Sequence, residues 1–526
     1  MRFFVASLLL LGTGLASVTH SPEGKAWWAH VQFLADDKLE GRATGSAGHR
    51  KAAEYVAQQF KSAGLKPAGT QGYMQPVKFR SRQIVEENSK LSLIRDGKSN
   101  ELKLGTDAYF SLRSEPDKLV EAEAVFIGYG LQIPEMKIDD LAGADLRGKI
   151  AVYLSGAPKR VPAALAAHYQ SASERWKRLK AAGAVGAAAF ANPKHTDIPW
   201  ARAKQARLLP SMSLADPKLA SAPGQRVAIV INAEHADTWF DGTGRTTSEL
   251  LALDDAQKPL PKFPLKVRVR AEPSFEVEEI VSQNVAAIVP GNDPKLKNEY
   301  VVLSGHLDHL GRNRTLEGDN IYNGAIDNAS GIASIIEIGK QVARKKTNGR
   351  SLLLVAVTGE EKGLLGSKYF ANYPTVEPES IVANINLDMY LPLIPLKTVT
   401  AYGAQESTLG SEFEKIAAKF DVDVIPDREP ERNLFVRSDQ YSFIRQGVPA
   451  LAFKFVANPG SPEEAVLKRW IRNRYHSPSD DASQPVEIEA AVKFNKMLLA
   501  FTEQVASNGG KPAWKEDSFF KRFEKQ

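Results

Sequence analysis

Apolar residues along the chain follow distinct rhythms in three stretches. Between Lys25 and Lys66 they recur at helical spacing. Trp28, Val31, Phe33 and Leu34 begin an amphipathic stretch, and Gly41 to Ser46 interrupts it. Ala53, Val56 and Phe60 share one face of a second helix, which stops at Gly64 ahead of Pro67. From about Glu121 the runs shorten and are bounded by Gly and Asp. Ala122–Gly128, Lys149–Leu154, Val185–Phe190 and Val227–Ile231 are predicted strands, with Pro210–Leu214 a shorter one and Arg175–Ala182 a helix closed by Gly183. A third stretch opens at Ser282. Its predicted strands are Asn284–Val289, Glu299–Leu303, Ser351–Thr358, Ile381–Asp388 and Ala450–Phe455, and its helices are Ile332–Ala343 and Gly366–Ala371. Near-continuous apolar strands alternating with helices predict an α/β fold: a mostly parallel mixed sheet covered by helices, with the middle stretch inserted as a small, β-rich α/β domain.

Composition narrows this picture. A chain of 526 residues with 43% hydrophobic and 25% charged residues is globular and too long for one ordinary core. The net charge of +6 comes from 68 basic and 62 acidic residues without a dense Lys/Arg block, which argues against a nucleic-acid partner. Arg2, the apolar run Phe3 to Leu11 and the small residues Gly14 and Ala16 predict a signal peptide at 1–16 and export to a periplasmic or extracellular space. That run is shorter than the roughly 20 apolar residues a bilayer span needs, and no later stretch offers a membrane span. With Cys 0, disulfides, thiolate metal sites and a Cys nucleophile are excluded. No Gly-x-Ser-x-Gly turn supports a serine nucleophile either.

The chemistry collects at strand ends. The strand at 299–303 runs into Ser304-Gly305-His306-Leu307-Asp308-His309, the strand at 351–358 into Gly359-Glu360-Glu361, and the strand at 381–387 into Asp388. Ligand sites in parallel sheets lie beyond those carboxyl ends. The Gly-rich loop Gly318 to Gly331 places Asp327 just before a helix, and Tyr475-His476-Ser477-Pro478 forms a further loop. Taken singly, each piece has an ordinary reading as a surface turn, a helix cap or a solvated pair; their joint placement on one sheet edge singles them out. Two Zn²⁺ ions about 3.5–4 Å apart call for a bridging carboxylate. His306 and Asp388 can fill one ion, Glu361 and His476 the other, and Asp327 can bridge. Glu360 is then left without a metal, as a general base must be.

These strings, together with Asn386-Leu387-Asp388-Met389 and the segment Leu34 to Arg42, resemble the co-catalytic two-zinc aminopeptidase family, which includes bacterial leucine aminopeptidases and glutamate carboxypeptidase II. Phe126-Ile127-Gly128-Tyr129-Gly130, Asp139 to Ile150 and Ala181 to Gly186 resemble a protease-associated domain, commonly inserted in that family, which implies a lid or substrate-access role. The resemblance divides the chain into a signal peptide (1–16), a peptidase domain in two parts (17–117 and 273–510), the insertion (118–272) and a charged, aromatic tail (511–526) that packs as a short helix or frays.

The resemblance implies hydrolysis of peptides with a free N-terminus by a bridging water, activated by two metals and by Glu360. Asp308 is then expected to accept a hydrogen bond from the far nitrogen of His306, and His309 to be structural. Tyr475 is a candidate oxyanion donor, and a cis peptide is expected at Asp327–Asn328. The histidines at 20, 30, 49, 168, 195 and 235 are expected to be surface or core residues. Three alternatives stay open: a carboxypeptidase or dipeptidase using Arg428, Arg432 and Arg437, a glutaminyl cyclase, and a metal-free binding protein. Oligomeric state is not legible.

Overall fold

The computed structural model describes residues 20–524 apart from 197, 433 and 508; the predicted signal peptide falls outside the described residues. Two sheets organise the chain. The main one has ten strands among the described residues, and its central strands run in the order Ser351–Val357, Tyr300–His306, Ile381–Asn386, Ala450–Phe455. All three neighbouring pairs in that series are parallel. Phe275–Val289 and Thr398–Tyr402 flank the series in antiparallel pairing, so the sheet is mixed. Every residue of Ser351–Val357 and Ile381–Asn386 is buried, as near-continuous apolar strands covered on both faces require.

One face packs against Pro22–Leu34, Ala47–Ser62, Ser330–Lys345 and Ile488–Ser507, with Trp27, Phe60, Ile335 and Phe501 in the interface. The other face packs Phe370 and Phe443 from Leu365–Asn372 and Gln440–Ile444. The expected α/β class with a mostly parallel centre is therefore what the chain adopts. Ser330–Lys345 has the i, i+3, i+4 apolar stripe Ile332, Ile335, Ile336 and Ile338, all buried.

The second sheet has eight strands among the described residues and starts at Lys90, well before the expected boundary at 118. Lys90–Arg95, Lys98–Glu101 and Ala108–Phe110 all belong to it. Lys98–Glu101 is exposed throughout and Ala108–Phe110 is only 3 residues long, so neither leaves an apolar signature. Ser211–Leu214, expected in the insertion, instead pairs with Met74–Ile84 at the edge of the main sheet. Its alternating burial made it a visible strand, but alternation does not name a partner.

Met74–Ile84 and Phe275–Val289 pair without a break from Phe275↔Ile84 to Val285↔Met74, forming a ribbon that carries the chain out to the second lobe and back. The C-terminal tail packs: Phe520 is fully buried, Trp514 donates to the carbonyl of Gly447 at 2.8 Å, and Arg522 pairs with Glu135 of the second lobe at 2.7 Å. His30, His49 and His168 are buried, while His195 and His235 have partly exposed side chains.

Candidate active site

The parallel register brings the strand ends level. His306 lies opposite Val357, and Ser304 lies opposite Asn386. Glu360 and Glu361 therefore follow on one side of His306, and Asp388 on the other. Asp327 enters from the loop ahead of Ser330–Lys345, and His476 from the loop after Pro462–Asn473.

Asp327 stands at the centre. Its Oδ1 is 3.1 Å from His306 Nε2, and its Oδ2 is 3.3 Å from His476 Nε2. His306 Nε2 is also 3.3 Å from Asp388 Oδ1, and His476 Nε2 is 3.1 Å from Glu361 Oε2. The five residues expected to be ligands thus meet, in two sets that share Asp327. Asp327 and His306 are almost fully buried.

Several groups missed in the sequence hold this centre. The Asp480 carboxylate accepts the backbone N–H of Ile326 and of Asp327, each at 3.0 Å, and its own carbonyl accepts Ala325 N–H at 3.0 Å. The Asp327–Asn328 peptide is cis, as the resemblance implied. Asn328 ties the loop to the neighbouring strand end, donating to Leu387 O at 2.8 Å and accepting from Met389 N–H at 3.2 Å. Gly324 sits at φ 62°, where a Cβ would lie 2.2 Å from the carbonyl of Asp327, so the turn into the loop admits no side chain. The buried Arg42 guanidinium donates to the carbonyls of Leu34, Leu307, Asn323 and Gly324, clamping the N-terminal segment onto two site loops. His476 itself has φ 54°, a left-handed conformation uncommon outside glycine and characteristic of functional positions.

Asp308 needs a correction. The far nitrogen of His306, Nδ1, contacts the main-chain carbonyl of Asp308 at 3.0 Å, not its carboxylate. The carboxylate turns to the next strand end, accepting Glu360 N–H at 3.1 Å and the Thr44 hydroxyl at 2.9 Å. As the chain turns off the strand it swings the carbonyl back under the ring and the side chain away. The consequence for His306 is the same, because a carbonyl only accepts: Nδ1 carries a proton and Nε2 faces Asp327 and Asp388. His309, expected to be structural, is fully buried with Nδ1 2.7 Å from Glu361 Oε1.

Charge follows from this crowding. Burial opposes the imidazolium of His476, yet Glu361 and Asp327 overcome it and push its pKa up to about 10. Burial likewise opposes the charged form of His306, and Asp388, Glu360 and Asp327 together hold it well above its ordinary value. Asp327 is held well below the usual carboxylate range: burial works upward, and hydrogen bonds from His306 and His476 outweigh it. Glu360 goes the other way. Burial lifts it well above that range, His306 opposes, and Glu361, Asp388 and Asp439 add to the lift. Asp439, also buried, is raised to about 7, mainly by burial.

Nitrogen and carboxylate donors separated by 3.1–3.3 Å suit a divalent cation. Ligands at about 2.1 Å from a tetrahedral ion lie about 3.4 Å from one another. Asp327 presents one oxygen to each set, the geometry of a bridging carboxylate. The surrounding pocket, about 80 Å³, is lined by Glu360, Asp388, Tyr475 and His476 and also by Arg432 and Arg437. Arg428 lies outside it and donates to Ala457 O at 2.8 Å.

Residues 284–502 match the model of Peptidase family M28. The chain carries a Peptidase family M28 domain. That match contains His306, Asp327, Glu360, Glu361, Asp388 and His476, while Arg42 and Thr44 lie outside it. Aminopeptidase Y of Saccharomyces cerevisiae is 29% identical over 213 residues, covering 39% of this chain and 36% of that protein. A probable zinc metalloprotease of Pyrenophora tritici-repentis is 34% identical over 106 residues, covering 20% of this chain and 23% of that one. The chain therefore matches well under two thirds of these relatives' length. The solved aminopeptidase from Aneurinibacillus sp. strain AM-1 superposes with a TM-score of 0.55 over 94% of this chain and 97% of its own, at 20% identity. The likeness extends beyond the M28 domain to the two-lobed fold.

Proposed function

We propose that the chain is a zinc-dependent aminopeptidase that removes N-terminal residues from peptides, with two Zn²⁺ ions held by His306, Asp388, Asp327, Glu361 and His476. The observation that carries this reading is Asp327 between two histidines, one oxygen toward each, at 3.1 and 3.3 Å. The family and the aminopeptidases among its relatives support it. Bound ions there supply Lewis-acid polarisation of a carbonyl and acidify water. Glu360 accepts the proton of the attacking water at its carboxylate and passes it to the leaving amine. Its raised pKa makes it a stronger base than an exposed glutamate, and Asp308 fixes its backbone through the Glu360 N–H. Tyr475, whose ring lies tilted against His476 with centroids 4.0 Å apart, lines the same pocket and is a side-chain donor for a developing oxyanion.

A cleft of about 840 Å³ between the lobes shares Tyr402, Arg432, Leu434, Lys454 and Ile471 with the metal pocket. That continuity supports a substrate-access role for the inserted lobe. Export fits the predicted signal peptide, and no helix among the described residues is long and apolar enough to cross a membrane. The deciding experiment is metal analysis of Glu360→Gln with an aminoacyl-anilide assay: two zinc ions retained and hydrolysis lost is the expected result. Full activity would remove Glu360 as the base, and protein that binds no zinc would remove the reading. A carboxypeptidase is the second reading, favoured by Arg432 and Arg437 in the pocket lining. Faster cleavage of an N-blocked dipeptide than of an aminoacyl-anilide would establish it.

A further inference from the structure

His309 has no part in the ligand set, yet it lies inside the site. Its ring is fully buried and packs against Gly324, where an added Cβ would lie 2.7 Å from the ring carbons Cγ and Cδ2. Its backbone is pinned by an N–H bond to the carbonyl of Arg42 at 3.2 Å. Packing and backbone therefore set its position, and that position brings Nδ1 to within 2.7 Å of Glu361 Oε1.

The two oxygens of Glu361 are thereby divided. Oε2 lies 3.1 Å from His476 Nε2, on the side of the shared Asp327, while Oε1 faces His309. Glu361 Oε1 and both ring nitrogens of His309 are buried, and none of them makes an in-line hydrogen bond to the described residues; the 2.7 Å approach of Nδ1 to Oε1 is the one close polar contact between them. A carboxylate that binds an ion through one oxygen leaves the second in a dry environment, where an unmatched acceptor is costly. Such ligands are commonly held from behind by a further donor.

We infer that His309 is a positioning residue for the second cation, a role that rests on the two-zinc reading: its Nδ1–H holds Oε1 of Glu361, so that Oε2 is turned toward the ion shared with His476 and Asp327. His309 could in principle ligate the ion itself, since its ligand atoms lie within 4.8 Å of those of Asp327 and Glu361. The spacing argues otherwise. The 2.7 Å contact is clearly shorter than the roughly 3.4 Å between two ligands of one tetrahedral ion. The His476 contacts, at 3.1 and 3.3 Å, have the longer spacing.

The test is Zn²⁺ affinity, read by chelator competition on purified full-length protein, with the melting curve of the zinc-free form as a fold control. His309→Leu removes the donor and is expected to weaken one of the two zinc-binding steps by about 10–100-fold and leave the other unchanged. His309→Asn, whose amide reaches nearly the same point, is expected to restore that step to within a few-fold. Adding His309→Leu to Glu361→Ala is expected to cost no further affinity. The inference is overturned if His309→Leu binds both ions as the unaltered protein does, or if His309→Asn loses as much as Leu, which would make the imidazole a ligand. Should His309→Leu fail to fold, His309→Ala takes its place, both alone and in the Glu361→Ala background. An unaltered protein that binds no zinc would defeat the two-zinc reading instead, a different outcome from either of these.

Discussion

Two clusters in this molecule have the side chains of a metal site, and only one has its electrostatics. In the second lobe, His195, Asp254 and Asp255 converge within ligand distance of one another. Every carboxylate oxygen there already has a donor. Asp254 accepts from Tyr129 at 2.6 Å and from Asn192 at 2.7 Å, and Asp255 accepts from Asn192 at 2.9 Å and from Lys194 at 2.5 Å. His195 stands off at 3.7–3.9 Å. At the strand ends of the M28 domain, Asp327, Glu360, Glu361 and Asp388 crowd against histidines with no Lys among the contacts that link them. The fates of buried histidines mirror this. His168, packed between the lobes against Tyr441, is pushed down to about 4, chiefly by burial, whereas His476 is drawn up to about 10 by its carboxylates. Residue types do not distinguish the clusters. The balance of donors to acceptors does, and only an excess of buried acceptors calls for a cation.

The comparison can be broken most directly at its centre. Asp327→Ala is expected to abolish both zinc binding and turnover, while Asp255→Asn leaves the metal content, read by elemental analysis, unchanged; zinc lost from the second variant would erase the distinction. Next in size is Glu360→Gln, with kcat lower by roughly 10²–10⁴-fold at full metal occupancy. A smaller effect concerns His168. Its folded pKa of about 4 lies below the unfolded value near 6.5, so the unfolded chain takes up the proton first on acidification. The stability it confers is complete above pH 6.5 and is lost as pH falls toward 4, by about 2 kcal/mol at pH 5. Urea midpoints should therefore fall less between pH 7 and 5 in His168→Gln than in the unaltered protein, and equal slopes would dismiss the effect. The smallest change expected is Tyr129→Phe, which deletes one hydrogen bond to Asp254 and should cost about 1.5–3 kcal/mol of stability with zinc content intact.

Much of the site was legible because parallel strands advertise themselves. The runs at 300–306, 351–357 and 381–386 are mostly apolar, and each ends in or shortly before a residue able to bind a metal, so the rule that such sheets work at their carboxyl ends brought His306, Glu360, Glu361 and Asp388 together. Arg42, Asp480 and Asp439 were given no role, since none stands in a strand-end pattern and only packing shows what each touches. Asp308 was singled out, but with the wrong atom assigned. His309 was seen and set aside, because nothing in the order of residues says that its ring would lie against Glu361. Two of the second lobe's early strands, Lys98–Glu101 and Ala108–Phe110, escaped for a simpler reason: exposed or very short strands carry no alternation.

Taken alone, the chain of residues determined which central strands of the main sheet form, that they are covered on both faces, and which acids and histidines stand at their ends, because burial and backbone period are local properties. Tertiary structure decided which oxygen of Asp327 faces which histidine, that His306 leans on a carbonyl, and that Glu361 is gripped from both sides. Those are relations between particular atoms, set only when loops are packed and their buried donors matched to acceptors.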